Sequence, residues 1–375
     1  MNRENDMTLT NYWWLLIWLF IAGIIFSQCS IRKSEIVLGR KEQRWSFIPA
    51  IILACPYIIW AAFRSDVWGD TYSYRYLYRM VPSSLNQLVS YVSSANKDKG
   101  FQALSVIIKS IFGDSDIILF FILALFQMIC IVLVFRKYSC DYWLSIFLFV
   151  ASTDYMSWMH NGIRQFTAVT LIFAATGLML KKKYVSLIIV ILIASTIHGS
   201  ALLMIPIVFI IQGKAWNKKT LFCIFLSLLA LVFVNQFTNI LDTLLSDTQY
   251  TNVVSDWESM SDNGTNPIRV LVYSVPTILS LIGYKYIKKV DDPVINMSVN
   301  AGIVATAISI ISMGTSGVFI GRLPIFCSMY STGILLPWEI KNIFTKDSSK
   351  IMIVATIVCY IVFFYYQMHF AWNLL

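Results

Sequence analysis

Residues 160–180 read HNGIRQFTAVTLIFAATGLML, and no charged residue follows Arg164 until Lys181. A helix crosses the hydrocarbon of a bilayer with roughly 17–25 mostly apolar residues, so the stretch predicts a membrane helix over 163–180. Its opening is polar, with His160, Asn161, Arg164 and Gln165 together at one end. Polar and charged groups are costly at that depth and tend to mark function.

The rest of the chain agrees with a membrane reading. Of its 375 residues 58% are hydrophobic and 13% charged, with a mean hydropathy of +0.69, whereas about a quarter of the residues of a soluble domain are charged. The formal charge of +9 is then a topology signal rather than a nucleic-acid footprint. Seven cysteines (Cys29, Cys55, Cys130, Cys140, Cys223, Cys327, Cys359) form no CxxC pair and fall mostly in apolar runs, where Cys behaves as a small hydrophobe; they suggest neither a disulfide framework nor a metal site. The first apolar run lacks a basic leader and a small-residue cleavage site, so it is expected to be retained.

The same length rule predicts spans at 11–29, 47–62, 117–135, 142–155, 163–180, 184–198, 199–212, 220–238, 269–284, 294–312, 322–340 and 351–370, an all-α polytopic membrane protein forming one integral domain over 1–375 with about twelve crossings. SIRKSEIVLGRKEQR, RKYSCD, KKK, GKAWNKK, KYIKKVDDP and KNIFTKDSSK alternate with loops poorer in Lys and Arg. Because Lys and Arg accumulate in cytoplasmic loops, these segments face inward and both termini outward.

Two outer connections are long. Residues 63–116 contain FQALSVIIKSIF, with Phe101, Leu104, Ile107, Ile108 and Ile111 at helical spacing; too short to span, it predicts an interfacial amphipathic helix. Residues 239–268 are acidic, with Asp242, Asp247, Asp256, Glu258 and Asp262 beside Trp257. Loops of this length are more often functional covers than slack.

No Asp or Glu lies near the middle of a predicted span, whereas ion-coupled carriers commonly hold a mid-depth carboxylate. The unusual polar groups gather instead at outer helix ends: Arg64, Asp66, Asp70, Asp154, His160, Asn161, Arg164, Gln165, His198, Arg269 and Arg322. Each has a plain structural reading. An arginine at a helix end can snorkel, Tyr72, Tyr74, Tyr76 and Tyr78 can be interface aromatics, and His198 can be a packing histidine. Their shared depth favours one outward-facing site.

RSDVWGDTYSY (Arg64, Gly69, Asp70, Thr71, Tyr74), NGIRQFTA (Asn161, Arg164, Gln165, Ala168), HGSALL (His198, Ser200, Ala201) and the late GR (Gly321, Arg322) occur in that order at outer helix ends. Together they resemble the EpsG-like branch of the Wzy-type polysaccharide repeat-unit polymerases. The segment after Arg322, LPIFCSMY, departs from the aromatic pair expected there. The resemblance implies a GT-C-like glycosyltransferase of the bacterial inner membrane. Such an enzyme transfers a glycan from undecaprenyl pyrophosphate onto another lipid-linked unit at the outer face, making O-antigen, capsule or exopolysaccharide. Its implied partners are the lipid-linked donor and acceptor glycans, membrane lipids and a chain-length regulator protein. No cofactor and no nucleic acid is implied.

Such a reaction needs cations for the leaving pyrophosphate and a group that orients or deprotonates the acceptor hydroxyl. A planar guanidinium pairs phosphate oxygens in bidentate fashion and stays charged. Without an external DxD or a Cys/His cluster, arginine is expected in place of metal: Arg164 with Arg322, supported by Arg64. Asp70 and His160 compete for the acceptor hydroxyl. A histidine titrates near working pH, whereas Asp70 needs burial to serve as base. Asp70 still ranks first as acceptor-orienting group or base because its motif is the better match. His198 is assigned to a phosphate or hydroxyl, and Tyr74, Asn161 and Gln165 to substrate binding. The nearest rivals are an O-antigen ligase and a lipid-linked glycan flippase.

Overall fold

The computed structural model describes residues 11–29, 31–245 and 262–375. The chain divides into two compact units, 1–176 with 185–201 and 351–375, and 177–184 with 202–350.

The first unit opens with α1 (Trp13–Ser27). The basic stretch that follows, expected as a loop of an all-α chain, is a hairpin: β1 (Arg32–Val37) pairs antiparallel with β2 (Arg40–Trp45), Val37 opposite Arg40. Leu38 and Gly39 between them have φ of 48° and 83°, the two positive values that suit a tight hairpin turn. Polar and charged residues on both faces hide the alternation that marks a half-buried strand.

Four helices continue the unit: α2 (Phe47–Ala62), α3 (Thr71–Met80), α4 (Leu88–Ser94) and α5 (Lys99–Phe112). Then come α6 (Asp116–Tyr138), α7 (Tyr142–Ala151), a π-helical turn over Tyr155–Asn161, and α8 (Ile163–Ala174). α6 packs against both α2 and α8, and α1 against α7. The hairpin is fixed to the far end of α6, where Arg136 pairs with Glu35 at 2.6 Å and Arg44 donates to the Ser139 carbonyl at 2.6 Å.

α3, α4 and α5 lie on an apolar cluster of Tyr74, Tyr78, Phe101, Val106, Ile108, Phe120 and Ile163. The face that α5 buries is rotated from the expected one: Ile107 and Ile111 are exposed, while Lys109 is buried. Lys109 Nζ donates to the Tyr78 and Arg79 carbonyls, both at 2.9 Å, and pairs with Asp114. It closes the C-terminal end of α3, where free carbonyls favour a cation.

Short helices α9 (Thr176–Leu180) and α10 (Tyr184–Ile197) follow, then a 3₁₀ turn Gly199–Leu203 and α11 (Met204–Ile211). In the second unit, α12 (Lys218–Val232) meets α13 (Val234–Leu245) at 107°, and α14 (Pro267–Ile282) meets α15 (Tyr284–Val290) at 71°. α16 (Pro293–Met313) is its centre, packed on α11, α12, α14 and α17 (Ile325–Tyr330). Small residues let those backbones approach; a Cβ on Gly302 would stand 3.0 Å from Ser331 and 3.1 Å from Thr277. A π-helical turn joins α17 to α18 (Leu336–Asn342), and α19 (Lys346–Tyr365) returns to the first unit with a further π-helical turn over Tyr366–Ala371.

Each predicted span contains a helix, but several are broken. Among the described residues, three helices are long and apolar enough to cross a membrane (α6, α16 and α19 with its extension), or up to five if each bent pair is one span; six shorter apolar helices accompany them. The acidic residues Asp247, Asp256 and Glu258 and their neighbour Trp257 lie outside the described residues.

Candidate functional site

α2 runs from the hairpin to the loop carrying Arg64 and Asp70, 16 residues and so roughly 24 Å. At that far end, side chains from α2, α3, α5, α8 and the α10 exit gather. The start of α1 and the end of α19 meet there too, Trp13 packing on Phe364 and Tyr365, and Trp372 packs on Trp68 with ring centroids 4.2 Å apart.

The lower layer is structural. Arg64 is 1% exposed; its guanidinium donates to the Ala61 and His160 carbonyls and lies 4.1 Å from the Phe120 ring centroid. Arg75 pairs with Asp66 and Asp116, each at 2.8 Å, and donates to the Arg64 carbonyl. His160 is 2% exposed, its ring edge-on to Tyr155 and its Nε2 without a hydrogen bond. Gln165 is buried on the packed side of α8. Thus Arg64, His160 and Gln165, expected at the polar mouth, lie beneath it.

Above them, Asn161 Oδ1 accepts from the Asp70 amide at 3.1 Å. Gly69 has φ +61°, and a Cβ there would stand 2.9–3.0 Å from Asn161, so glycine serves both the left-handed turn and the close approach. Asp70 sits at the N-cap of α3 without bonding to it through its side chain, and is exposed.

Arg164 opens α8, half-buried. Its guanidinium carbon lies 5.8 Å from the Tyr74 ring centroid, and Nη1 pairs with Asp98 Oδ2 at 2.7 Å. Asp98 is the residue that sequence reasoning missed. Within KDKG, residues 97–100, it looks like part of a solvated charge run, yet it is 7% exposed. Burial pushes its carboxyl pKa up, outweighing Arg164, Lys97 and the Gly199 amide, which act to lower it. The Gly199 bond ties Asp98 to the α10 exit, where His198 Nδ1 and Ser200 Oγ are 2.7 Å apart. Gly100 keeps the first turn of α5 against Thr196, with no room for a Cβ. The first unit therefore brings together Asp70, Tyr74, Asn161, Arg164 and the His198 turn, with Asp98 joining Arg164 to that turn.

Arg322 belongs to the second unit, half-buried at the end of the 3₁₀ turn Ile320–Arg322. Asp262 braces the loop before it, accepting from Ser316 Oγ at 2.6 Å and from the amides of Gly264, Gly317 and Val318 at 2.9–3.1 Å. Gly321 has no space for a Cβ beside Thr265.

Among the described residues, no three His, Cys, Asp or Glu side chains gather to hold a metal ion. A crevice of about 760 Å³ between α1, the hairpin and the start of α7, lined by Phe20, Trp45, Trp143 and Arg32 among others, lies at the hairpin end of α2 and away from the polar cluster. The polar cluster is the stronger candidate because it combines cation, carboxylate, amide and imidazole groups, whereas the crevice is walled mainly by aromatic and aliphatic groups that suit lipid chains.

No curated protein and no solved structure matches the chain. The EpsG family matches residues 47–373, a range that includes the Arg64–Asp70 loop, Asp98, the His160–Gln165 segment, the His198 turn and Arg322. With nearly its whole length matched, this membrane protein belongs to the EpsG family, relatives of the Wzy-type polymerases with a polymerase-like role in surface polysaccharide biosynthesis.

Proposed function

We propose that this chain is a GT-C-like polymerase of the bacterial inner membrane, with about twelve crossings and both termini outside. It would join oligosaccharide units carried on undecaprenyl pyrophosphate at the outer face, without a metal ion. The observation that carries the reading is Arg164, a half-buried guanidinium at the start of α8 with an exposed carboxylate, Asp70, held nearby through Asn161. The free N–H groups of a helix start attract phosphate, and the guanidinium adds a fixed charge for the leaving diphosphate.

In the transfer, an acceptor hydroxyl oxygen bonds to the anomeric carbon of the donor while the bond from that carbon to the diphosphate breaks. The diphosphate leaves with the electron pair toward Arg164. The hydroxyl proton passes to Asp70, the better placed of the two candidate bases, since His160 is covered. His198 completes the rim, and Tyr74, buried beneath it, backs the Arg164 guanidinium.

Deletion in the native host followed by glycan sizing tests the reading. The expected result is loss of long chains with single units still attached. Complete loss of attached glycan would mean a ligase, and accumulation of inward-facing precursor a flippase. Complementation with Arg164→Lys, which keeps the charge and loses the planar fork, is expected to restore protein without long chains.

A further inference from the structure

Asp98 holds Arg164 from the buried side. The carboxylate side chain is 4% exposed and the guanidinium side chain 28%, so the cation stands between the acid and the open mouth. Only Nη1 is engaged by the acid; the guanidinium also shares a side-chain hydrogen bond with Tyr74, and its Nε is buried without an acceptor.

The placement of Asp98 is costly on its own terms. It occupies the N-cap of α5, where an aspartate normally accepts from its own helix, but its side chain makes no such bond and its backbone is left-handed at φ 55°. Asp and Asn reach that region more readily than other non-glycine residues, and the surroundings fix Asp98 in it. Here the fixing contacts are Arg164, the Gly199 amide and the tight seat of Gly100 on Thr196.

A carboxylate in contact with a guanidinium offsets much of that cation's pull on a second anion. Resting on the reading of Arg164 as the diphosphate's cation, we propose that Asp98 is a positioning residue that competes with the lipid diphosphate for Arg164, so that the site binds the donor without trapping the lipid diphosphate product. No bond is made or broken by Asp98. It keeps Arg164 charged and aimed while the site is empty, shares it when a diphosphate arrives, and takes it back as the product leaves.

The probe is farnesyl diphosphate, with the detergent-solubilised full chain and binding measured by equilibrium dialysis. Asp98→Asn keeps a residue tolerant of the left-handed turn and loses the charge; its dissociation constant is expected to fall about tenfold or more below that of the wild type. Asp98→Ser, a second uncharged variant, shifts the same way, and Asp98→Glu stays near the wild type. Arg164→Ala in the Asp98→Asn background removes the gain. In polymer synthesis, Asp98→Asn lowers KM and kcat together, as expected when product release becomes slow.

If Asp98→Asn and Asp98→Ser bind no tighter than the wild type, while Arg164→Ala weakens binding, Asp98 is only a brace and the proposal falls with the phosphate site intact. If the wild type does not bind the probe, or Arg164→Ala leaves binding unchanged in both backgrounds, the diphosphate reading of Arg164 itself falls.

Discussion

Gly69→Ala tests whether the Asp70 loop is held by Asn161. Two local costs are expected. An alanine at φ +61° must adopt a left-handed backbone, at about 1 kcal/mol. Its Cβ would also stand 2.9–3.0 Å from Oδ1, Cβ and Cγ of Asn161, so Asn161 must turn away and give up its bond to the Asp70 amide, a further cost of about 1 kcal/mol. The sum is about 2 kcal/mol, and in an Asn161→Ala background the hydrogen-bond part is already lost, leaving the left-handed backbone and the contact with the remaining Cβ, about 1 kcal/mol. The assay is the apparent melting temperature of the detergent-solubilised chain for both single variants and the double variant, with glycan chain length read in parallel. The shift caused by Gly69→Ala is expected to be roughly halved when Asn161 is already alanine, and both single variants shorten the chains. Equal shifts in the two backgrounds would refute the clamp, because Gly69 and Asn161 would then act independently.

Two further outcomes concern the charges that brace each unit. Arg75→Leu strands the Asp116 carboxylate, whose side chain is 13% exposed, and is expected to cost about 3–5 kcal/mol and lower the amount of protein in membranes; adding Asp116→Leu recovers most of it, and an undiminished single variant would contradict the ion pair. In the second unit, burial acts to raise the Asp262 carboxyl pKa, but bonds from Ser316, Val318, Gly317 and Gly264 outweigh it and hold it below its ordinary value. A depressed acid contributes stability that is complete above its unfolded pKa and is lost as pH falls through the folded one. Asp262→Asn therefore melts below the wild type at neutral pH, and the gap closes below about pH 4; a gap that stays constant down to pH 2.5 would mean that the charge of Asp262 contributes nothing.

Hydropathy was enough to find the apolar helices, because burial in lipid or protein demands the same side chains, and it put Asp70, Asn161, Arg164 and His198 at helix ends. It was silent where one residue type serves opposite ends. Arg64, Arg75 and Arg164 look alike in the sequence, yet Arg64 is engaged by backbone carbonyls and Arg75 by a carbonyl with Asp66 and Asp116, and Arg164 alone of the three is half-open to the mouth. Asp98 was hidden for the converse reason. Flanked by Lys97 and Lys99, it has the local pattern of a solvated run, and only the fold, by pressing Gly100 onto Thr196, turns it inward to Arg164. The buried face of α5 was misjudged because a lysine that satisfies the carbonyls of another helix can outcompete two isoleucines for the interior. Polar groups in this protein are therefore sorted by which unsatisfied backbone or charge each can reach, a long-range property with no signature in spacing. Of these three, the arginine left half-exposed after that sorting is the one to expect at the chemistry.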